Sequence, residues 1–171
     1  PIYKESLGYI VELLKSFKHG MESLDLPRTG DEFIKKLFAT YVSYYDITKI
    51  GYKPKMNVDQ RGNFVELMHT DDFGQVSSSI VLPGITRGNH YHHTKMEKFI
   101  VVKGKAKINF RRIDETKITS YEANGDSITI VTIPPGYTHN IQNVGDEDVV
   151  YILWCNEKFD PQHPDTYYEE V

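Results

Sequence analysis

Three histidines and one glutamate are spaced so that they could bind a divalent metal ion. His90 and His92 lie two residues apart on an extended segment, so their rings point to the same face. Glu97 lies at an odd offset from both, which on a straight strand would turn it to the opposite face. A turn or bulge at residues 93–96 is therefore predicted. His139, from a distant strand, can complete a site of three imidazoles and one carboxylate, which suits zinc, iron, manganese, nickel or copper.

The ordinary interpretation of each of these residues is a side chain on an exposed strand. Several flanking residues make the metal interpretation stronger for the set as a whole: Gly84, Gly104, Pro134, Gly136 and Asn143. Asn143 lies four residues after His139 and shares its face, so it is predicted to hold a water or a ligand next to the ion. Open coordination positions would make the ion catalytic rather than structural.

The elements that must position this site are mostly β-strands. Short apolar or alternating runs separated by turn residues predict seven strands, at 63–68, 75–82, 97–102, 105–111, 127–133, 138–143 and 148–154. The aromatic and acidic residues 166–171 are a candidate added edge strand. Many short strands without helices between them indicate a sandwich or a double-sheet barrel.

Two amphipathic helices are predicted before these strands. One covers residues 6–19, with Ser6 as its cap and Gly20 at its end. The second begins after Asp31 and carries an apolar stripe that reaches Tyr45. The stripes either pack on each other and on the sheet, or they belong to a preceding domain. The pattern alone does not separate these alternatives.

The composition favours a folded protein of one domain with a smaller additional part. The chain has 171 residues, of which 39% are hydrophobic and 26% charged, with a net charge of −4. This charge offers no basic field for nucleic acid. A single cysteine, Cys155, cannot form an internal disulfide, and no apolar run suits a membrane span. A cytoplasmic protein without membrane insertion is predicted.

The motifs around the four candidate ligands resemble those of the cupin superfamily. Gly84-x5-His90-x-His92-x4-Glu97-x6-Gly104 is similar to the first cupin motif, and Pro134-x-Gly136-x2-His139-x3-Asn143 to the second. One departure is Gly125, which lies farther from Pro134 than the motif has it. The resemblance implies a mainly β fold, a double-stranded β-helix or jelly-roll barrel, with the metal ion inside.

A closer resemblance covers nearly the whole chain. Segments such as Met56–Asp59, Pro83–His90 and Trp154–Glu157 are similar to bacterial capsular-sugar proteins of the CapF/WbjC type. That family joins an NADPH reductase of the short-chain type to a carboxy-terminal zinc cupin. By this resemblance, residues 1–45 are the helical end of the reductase and residues 46–171 the cupin barrel. The 171 residues contain no glycine-rich dinucleotide fingerprint, so the reductase body and its NADPH site are expected to be missing.

The resemblance implies C3 epimerisation of a UDP-linked 4-keto-6-deoxy-N-acetylhexosamine on the route to UDP-N-acetyl-L-fucosamine. One Zn²⁺ would be held by His90, His92, Glu97 and His139. Three residues are candidate proton carriers at such a site: Tyr137, His93 and Lys95. Arg87 is a candidate for binding the diphosphate, and a homodimer is expected. The alternatives are another metal-cupin enzyme, such as an iron dioxygenase, and a zinc-braced module without catalytic activity.

Overall fold

Two antiparallel β-sheets face each other and enclose the core. The computed structural model describes residues 2–171. The strands are β1 (Met56–Asp59), β2 (Gly62–Thr70), β3 (Gly74–Val81), β4 (Thr86–Tyr91), β5 (Glu97–Lys103), β6 (Lys105–Arg112), β7 (Ile118–Asn124), β8 (Ile130–Ile133), β9 (Tyr137–Asn143), β10 (Val149–Cys155) and β11 (Tyr167–Tyr168). The first sheet has the order β1-β2-β3-β10-β5-β8 and the second β11-β4-β9-β6-β7. The predicted jelly-roll barrel is confirmed.

The core lies between the sheets because inward positions alternate with outward ones along each strand. In β10, buried residues occupy every second position from Val149 to Cys155. The inward residues of β5 and β6, among them Val101 and Ile108, complete one continuous apolar cluster. A polar side chain at an inward position of these strands therefore lies in the interior of the barrel.

All seven predicted strands exist, but their bounds and number needed correction. β8 begins at Ile130 rather than at residue 127, because the Asn124 side chain accepts hydrogen bonds from the N–H groups of Asp126 and Ser127, 3.0 and 2.9 Å away, and forms a turn there. Three strands, β1, β4 and β7, were not among the predicted ones, although the segment of His90 in β4 was expected to be extended. All of β1 is exposed, and so are the first five residues of β7, so neither shows the apolar alternation of a half-buried strand. The added edge strand is confirmed as β11, which is shorter than predicted.

Two helices, α1 (Leu7–Glu22) and α2 (Glu32–Ser43), precede the barrel as predicted. Ser6 caps α1 by accepting a hydrogen bond from the Tyr9 N–H, and Asp31 caps α2. The prediction that Gly20 ends α1 was wrong, since the helix continues to Glu22. Gly20 instead allows a close approach of the following loop, because a Cβ there would lie 2.9 Å from Pro27 Cδ.

The helices pack on each other and are joined to the first sheet. Phe17 is buried, and its ring lies 5.0 Å from that of Phe38 and 5.8 Å from that of Tyr41. The chain after α1 pairs with the end of β2, where the Leu26 N–H donates to the His69 carbonyl at 2.9 Å. The domain division at residue 45 stays a prediction. No helix within residues 2–171 has the length and apolar character needed to cross a membrane.

Candidate metal centre

The four predicted ligands come together inside the barrel. His90 of β4 is the register partner of His139 of β9, while Glu97 opens β5 in the opposite sheet. His92 lies one residue beyond β4. One potential ligand atom from each of the four lies within 4.8 Å of the others. A candidate site with ligands from both sheets therefore exists in the described structure.

Two irregularities of the backbone make this convergence possible. The register between β4 and β9 shifts between Gly88 and His90, where Gly88 has φ 104° and Asn89 φ 60°. After His92 the chain leaves the sheet through residues 93–96 and re-enters it at Glu97, so the predicted bend is confirmed. Without the bend, the odd offset would turn the Glu97 side chain away from the histidines.

The side chains are oriented so that ligand atoms face one another. The Nδ1 of His92 lies 2.5 Å from the Asp165 carbonyl oxygen, and the Nδ1 of His139 lies 3.3 Å from the Tyr137 carbonyl oxygen. A carbonyl oxygen can only accept a hydrogen bond, so both rings carry their proton on Nδ1 and leave the Nε2 lone pair free. Both Nε2 atoms point to Glu97 Oε2, at 3.6 Å from His92 and 3.2 Å from His139.

These atoms fit a bound cation. His92 Nε2, His139 Nε2 and Glu97 Oε2 are buried, and none has a hydrogen-bond partner. A buried polar atom without a partner costs about 1–3 kcal/mol. Lone pairs that face each other also repel unless a proton or a metal ion lies between them. The donor set of imidazole nitrogen and carboxylate oxygen is the one that zinc and the neighbouring divalent metals bind.

The protonation states of His90, His92 and Glu97 are consistent with a site for a bound cation. Burial, with the neighbouring His139 adding to it, lowers the pKa of His90 to about 4, so this imidazole is neutral and able to ligate at neutral pH. Burial alone would raise the pKa of Glu97, but its contacts with His139 and His92 outweigh burial and hold the pKa well below the usual range. Burial alone would lower the pKa of His92, yet the contacts with Glu97 and the Asp165 carbonyl raise it.

A cavity of about 550 Å³ lies over the candidate ligands. This volume falls in the range of small-molecule sites in proteins. Apolar side chains such as Phe99 and Leu153 form part of the wall, and the basic residues Lys55, Arg61 and Arg87 also line it. Arg87 Nη1 is buried without a hydrogen-bond partner, 3.8 Å from Asp59 Oδ1. The cavity thus combines the metal centre with an available guanidinium group.

The structure places the three candidate proton carriers differently. Lys95 is buried and lines the cavity, where its Nζ donates to the Pro164 carbonyl and lies 3.7 Å from Glu157 Oε1. His93 is exposed, with its ring 4.8 Å from that of Tyr167, and it does not line the cavity. Tyr137 packs partly buried against the apolar core and also lies outside the lining. Of the three, only Lys95 is in a position to meet a bound molecule.

Asn143 has a different role from the predicted one. Its Nδ2 donates to the carbonyl oxygens of Val81 and Glu147, both at 2.8 Å, and its Oδ1 accepts from the Gly145 N–H at 3.0 Å. The amide is 1% exposed and does not line the cavity. These bonds occupy both donors, so Asn143 braces the turn after β9 instead of facing a ligand.

Sequence reasoning missed three residues that surround the site. Tyr151 lines the cavity, and the alternation of β10 could have placed it inside the barrel as the only phenol on that strand. Arg61 also lines the cavity, next to a turn. Asp165 contacts the loop between His92 and Glu97 from a distant tail, for which the sequence holds no local signal.

Comparisons with known proteins place this chain in a family. The sequence model of the polysaccharide biosynthesis C-terminal domain matches residues 57–167. A UDP-2-acetamido-2,6-beta-L-arabino-hexul-4-ose reductase of Pseudomonas aeruginosa is 43% identical over 98% of this chain and 45% of its own length. A protein of Haloferax volcanii described as a probable low-salt glycan biosynthesis epimerase, Agl13, is 26% identical over 65% of this chain and 79% of its own length.

Solved structures show the same relationship. The capsular polysaccharide assembling protein CapF from Staphylococcus aureus is 51% identical, with a TM-score of 0.96 over 100% of this chain and 50% of the CapF chain. A CapF structure with the inhibitor 3-isopropenyl-tropolone has a TM-score of 0.94. The chain spans about half the length of these CapF chains and of the Pseudomonas protein. It belongs to the polysaccharide biosynthesis C-terminal domain family, as a CapF-like cupin barrel with a candidate metal centre.

Proposed function

We propose that this barrel is a metal-dependent epimerase that inverts C3 of a UDP-linked 4-keto-6-deoxy-N-acetylhexosamine. The observation that carries the proposal is the buried cluster of His90, His92, Glu97 and His139 under a cavity large enough for a sugar. Inverting a carbon next to a ketone requires removal of an acidic proton and its return on the other face. The costly species is the enolate, whose negative charge must be stabilised.

The four clustered residues would hold the ion, and we propose zinc. The chemistry needs no change of oxidation state, and zinc accepts this set of nitrogen and oxygen ligands. Bound there, the ion supplies positive charge against the negative charge that develops next to the ketone. Apolar side chains such as Phe99 and Leu153 in the wall lower the local dielectric constant, which strengthens electrostatic interactions at the reacting carbon.

Proton transfer requires a side chain that reaches the sugar. Lys95 and Tyr151 both carry exchangeable protons and line the cavity. Burial raises the pKa of Tyr151, so its phenol is protonated at neutral pH and able to donate. We propose that Lys95, acting as the free amine, accepts the C3 proton and that Tyr151 donates a proton on the other face, in place of His93 and Tyr137, which lie outside the cavity lining.

Arg87 is proposed to bind the diphosphate of the nucleotide sugar. Its buried Nη1 has no hydrogen-bond partner, and the nearby Asp59 is already held by Arg61 at 2.5 and 3.1 Å. Asp59 is thus shared between two arginines, and a guanidinium nitrogen without a hydrogen-bond partner is suited to contacts with phosphate oxygens. Lys55 and Arg61 also line the cavity, and Arg61 is paired with Asp59.

The relatives support epimerisation over reduction for this part of the longer proteins. The protein described as a probable epimerase is matched over 79% of its length, whereas the reductase is matched over only 45%. The shared region therefore makes up most of the former and less than half of the latter. The tropolone inhibitor of CapF is also consistent with a metal centre, because its adjacent ring oxygens chelate divalent ions. The homodimer remains a prediction.

Solvent-exchange measurements test the proposal. The zinc-loaded chain is incubated with the UDP-4-keto sugar in D₂O, and deuterium at C3 is followed by NMR. We expect incorporation that depends on zinc and is lost in Glu97→Gln, while Asp126→Asn, which changes an exposed turn carboxylate, behaves like the wild type. Zinc-loaded protein that leaves C3 undeuterated would refute the epimerase. Stoichiometric iron in the purified protein, with oxygen consumption, would indicate a dioxygenase instead.

A further inference from the structure

Residues near the end of the chain lie alongside β4, the strand that carries His90, at the edge of the second sheet. We call residues 164–170 the C-terminal strap. Its strand β11 pairs with β4, with Tyr168 opposite His90 and Tyr167 opposite Tyr91. The Glu169 N–H donates to the Asn89 carbonyl at 3.0 Å. The strap is therefore hydrogen-bonded along the segment of β4 that carries His90.

One residue of the strap, Asp165, holds the bend between His92 and Glu97. Its carboxylate accepts hydrogen bonds from three consecutive N–H groups, those of residues 93, 94 and 95, at 3.0, 2.9 and 3.1 Å. The Thr94 hydroxyl donates a fourth bond at 2.9 Å. Hydrogen bonds to a charged acceptor are the stronger kind. The bend at residues 93–96, which turns Glu97 toward the histidines, is thus held by a residue that is distant in the sequence.

The same residue also fixes the ring of His92. The main-chain carbonyl of Asp165 lies 2.5 Å from His92 Nδ1, which leaves Nε2 directed at Glu97. Asp165 has φ 37°, in the left-handed region that aspartate tolerates better than most residues. In this conformation the Asp165 carbonyl contacts the His92 ring, while the Asp165 carboxylate accepts hydrogen bonds from the next three residues, 93–95.

The residues on either side hold Asp165 in place. The Pro164 carbonyl accepts hydrogen bonds from Lys95 Nζ and from the Thr166 hydroxyl, the latter at 2.9 Å. Farther along, the Glu169 carboxylate lies 2.7 Å from Arg111 Nη2, and its carbonyl accepts from the Thr138 hydroxyl. The strap is bonded at both ends, and Asp165 lies between them.

We propose that Asp165 is a positioning residue for the metal centre, and that docking of the C-terminal strap and metal binding stabilise each other. The inference rests on the metal centre of the proposed function but does not depend on the reaction. Partners that orient a ligating histidine change metal affinity about 10- to 100-fold when they are removed. By linkage, metal binding must favour the docked strap to the same extent.

Zinc affinity, measured by competition with a chromophoric chelator, tests the proposal. We expect Asp165→Ala to bind zinc about 10- to 100-fold more weakly than the wild type, and Asp165→Asn to lie between them. The matched control is Asp160→Asn in the same tail, because the Asp160 carboxylate bonds only to neighbours within the tail at 2.8 and 3.1 Å. Its affinity should equal that of the wild type. The absorption spectrum of bound Co²⁺ should change shape in the Asp165 variants alone.

The outcomes separate this inference from the proposed function. A folded Asp165→Ala variant with wild-type zinc affinity would overturn the role of Asp165, even if its metal-free form were less stable. A wild-type protein that binds no zinc would overturn the metal centre itself. If Asp165→Ala does not fold, hydrogen exchange on the wild type decides. Zinc must then slow exchange of the Glu169 amide, and an unchanged rate contradicts the coupling.

Discussion

Gly88→Ala is the substitution that should most directly separate the two strands that carry His90 and His139. Gly88 has φ 104°, and a Cβ there would lie 2.7 Å from the His139 carbonyl oxygen and 2.9 Å from Asn140 Cα. Both contacts are to the backbone, so no change of rotamer relieves them. Gly84 provides the matched control, since it has φ 73° and a Cβ added there would meet nothing within 4 Å.

The expected loss of folding stability in each variant follows from the environments of Gly88 and Gly84. Gly84→Ala adds only the conformational strain of a positive φ, about 1–2 kcal/mol. Gly88→Ala adds overpacking of about 1–3 kcal/mol to strain of about 1–3 kcal/mol, which totals about 2–6 kcal/mol. Ordinary contact begins near 3.4 Å, so β4 must move about 0.7 Å from β9, the difference between 3.4 and 2.7 Å. Metal–ligand distances tolerate only about 0.2 Å.

Two measurements check this reasoning. Urea unfolding of the metal-free proteins gives the loss of stability, and chelator competition gives the zinc affinity. We expect Gly88→Ala to be less stable than Gly84→Ala and to bind zinc at least tenfold more weakly, whereas Gly84→Ala keeps the wild-type affinity. Equal losses of stability and of zinc affinity in the two variants would refute the argument. They would show that the effect comes from the strain of a positive φ and not from the close approach of β4 to β9.

The remaining predictions concern the metal, the cysteine and the cavity. Removing zinc with a chelator should lower the thermal midpoint, because a ligand at 100 times its Kd stabilises the folded state by about 2.7 kcal/mol; an unchanged midpoint would contradict a resident metal. Burial raises the pKa of Cys155 to about 11, so its alkylation should be slow at pH 8 and fast in urea. Arg87→Met should raise KM for the UDP sugar about tenfold or more, and Arg112→Met, an exposed substitution, should not.

Three of the four candidate ligands, His90, His92 and Glu97, could be predicted from local spacing, and the second cupin-like motif added His139. A spacing of two on a strand defines a shared face, and an odd offset demands a bend, whatever the rest of the fold does. Both inferences are confirmed in the positions of His92 and Glu97. The pattern of short strands predicted a sandwich or a double-sheet barrel, and the resemblance to the cupins implied the barrel. The strands β1 and β7 were missed because exposed strands have no alternation of apolar and polar residues.

The surroundings of the site could not be predicted in the same way. Asn143 does share the strand of His139, but turn carbonyls that the sequence does not reveal occupy its amide. Tyr137 and His93 are close to ligands in sequence yet lie outside the cavity lining. Tyr151 became a candidate only when the register of β10 placed it on the cavity wall. Proximity in sequence thus identifies ligands better than it identifies the residues that act on a substrate.

The distribution of charge in the cavity supports the proposed inversion at C3. An inversion next to a ketone requires stabilisation of negative charge and a nearby proton. The cavity contains Glu97 Oε2 and Arg87 Nη1, which have no hydrogen-bond partner, and the proton-bearing side chains of Lys95 and Tyr151. Each of these features serves the proposed inversion.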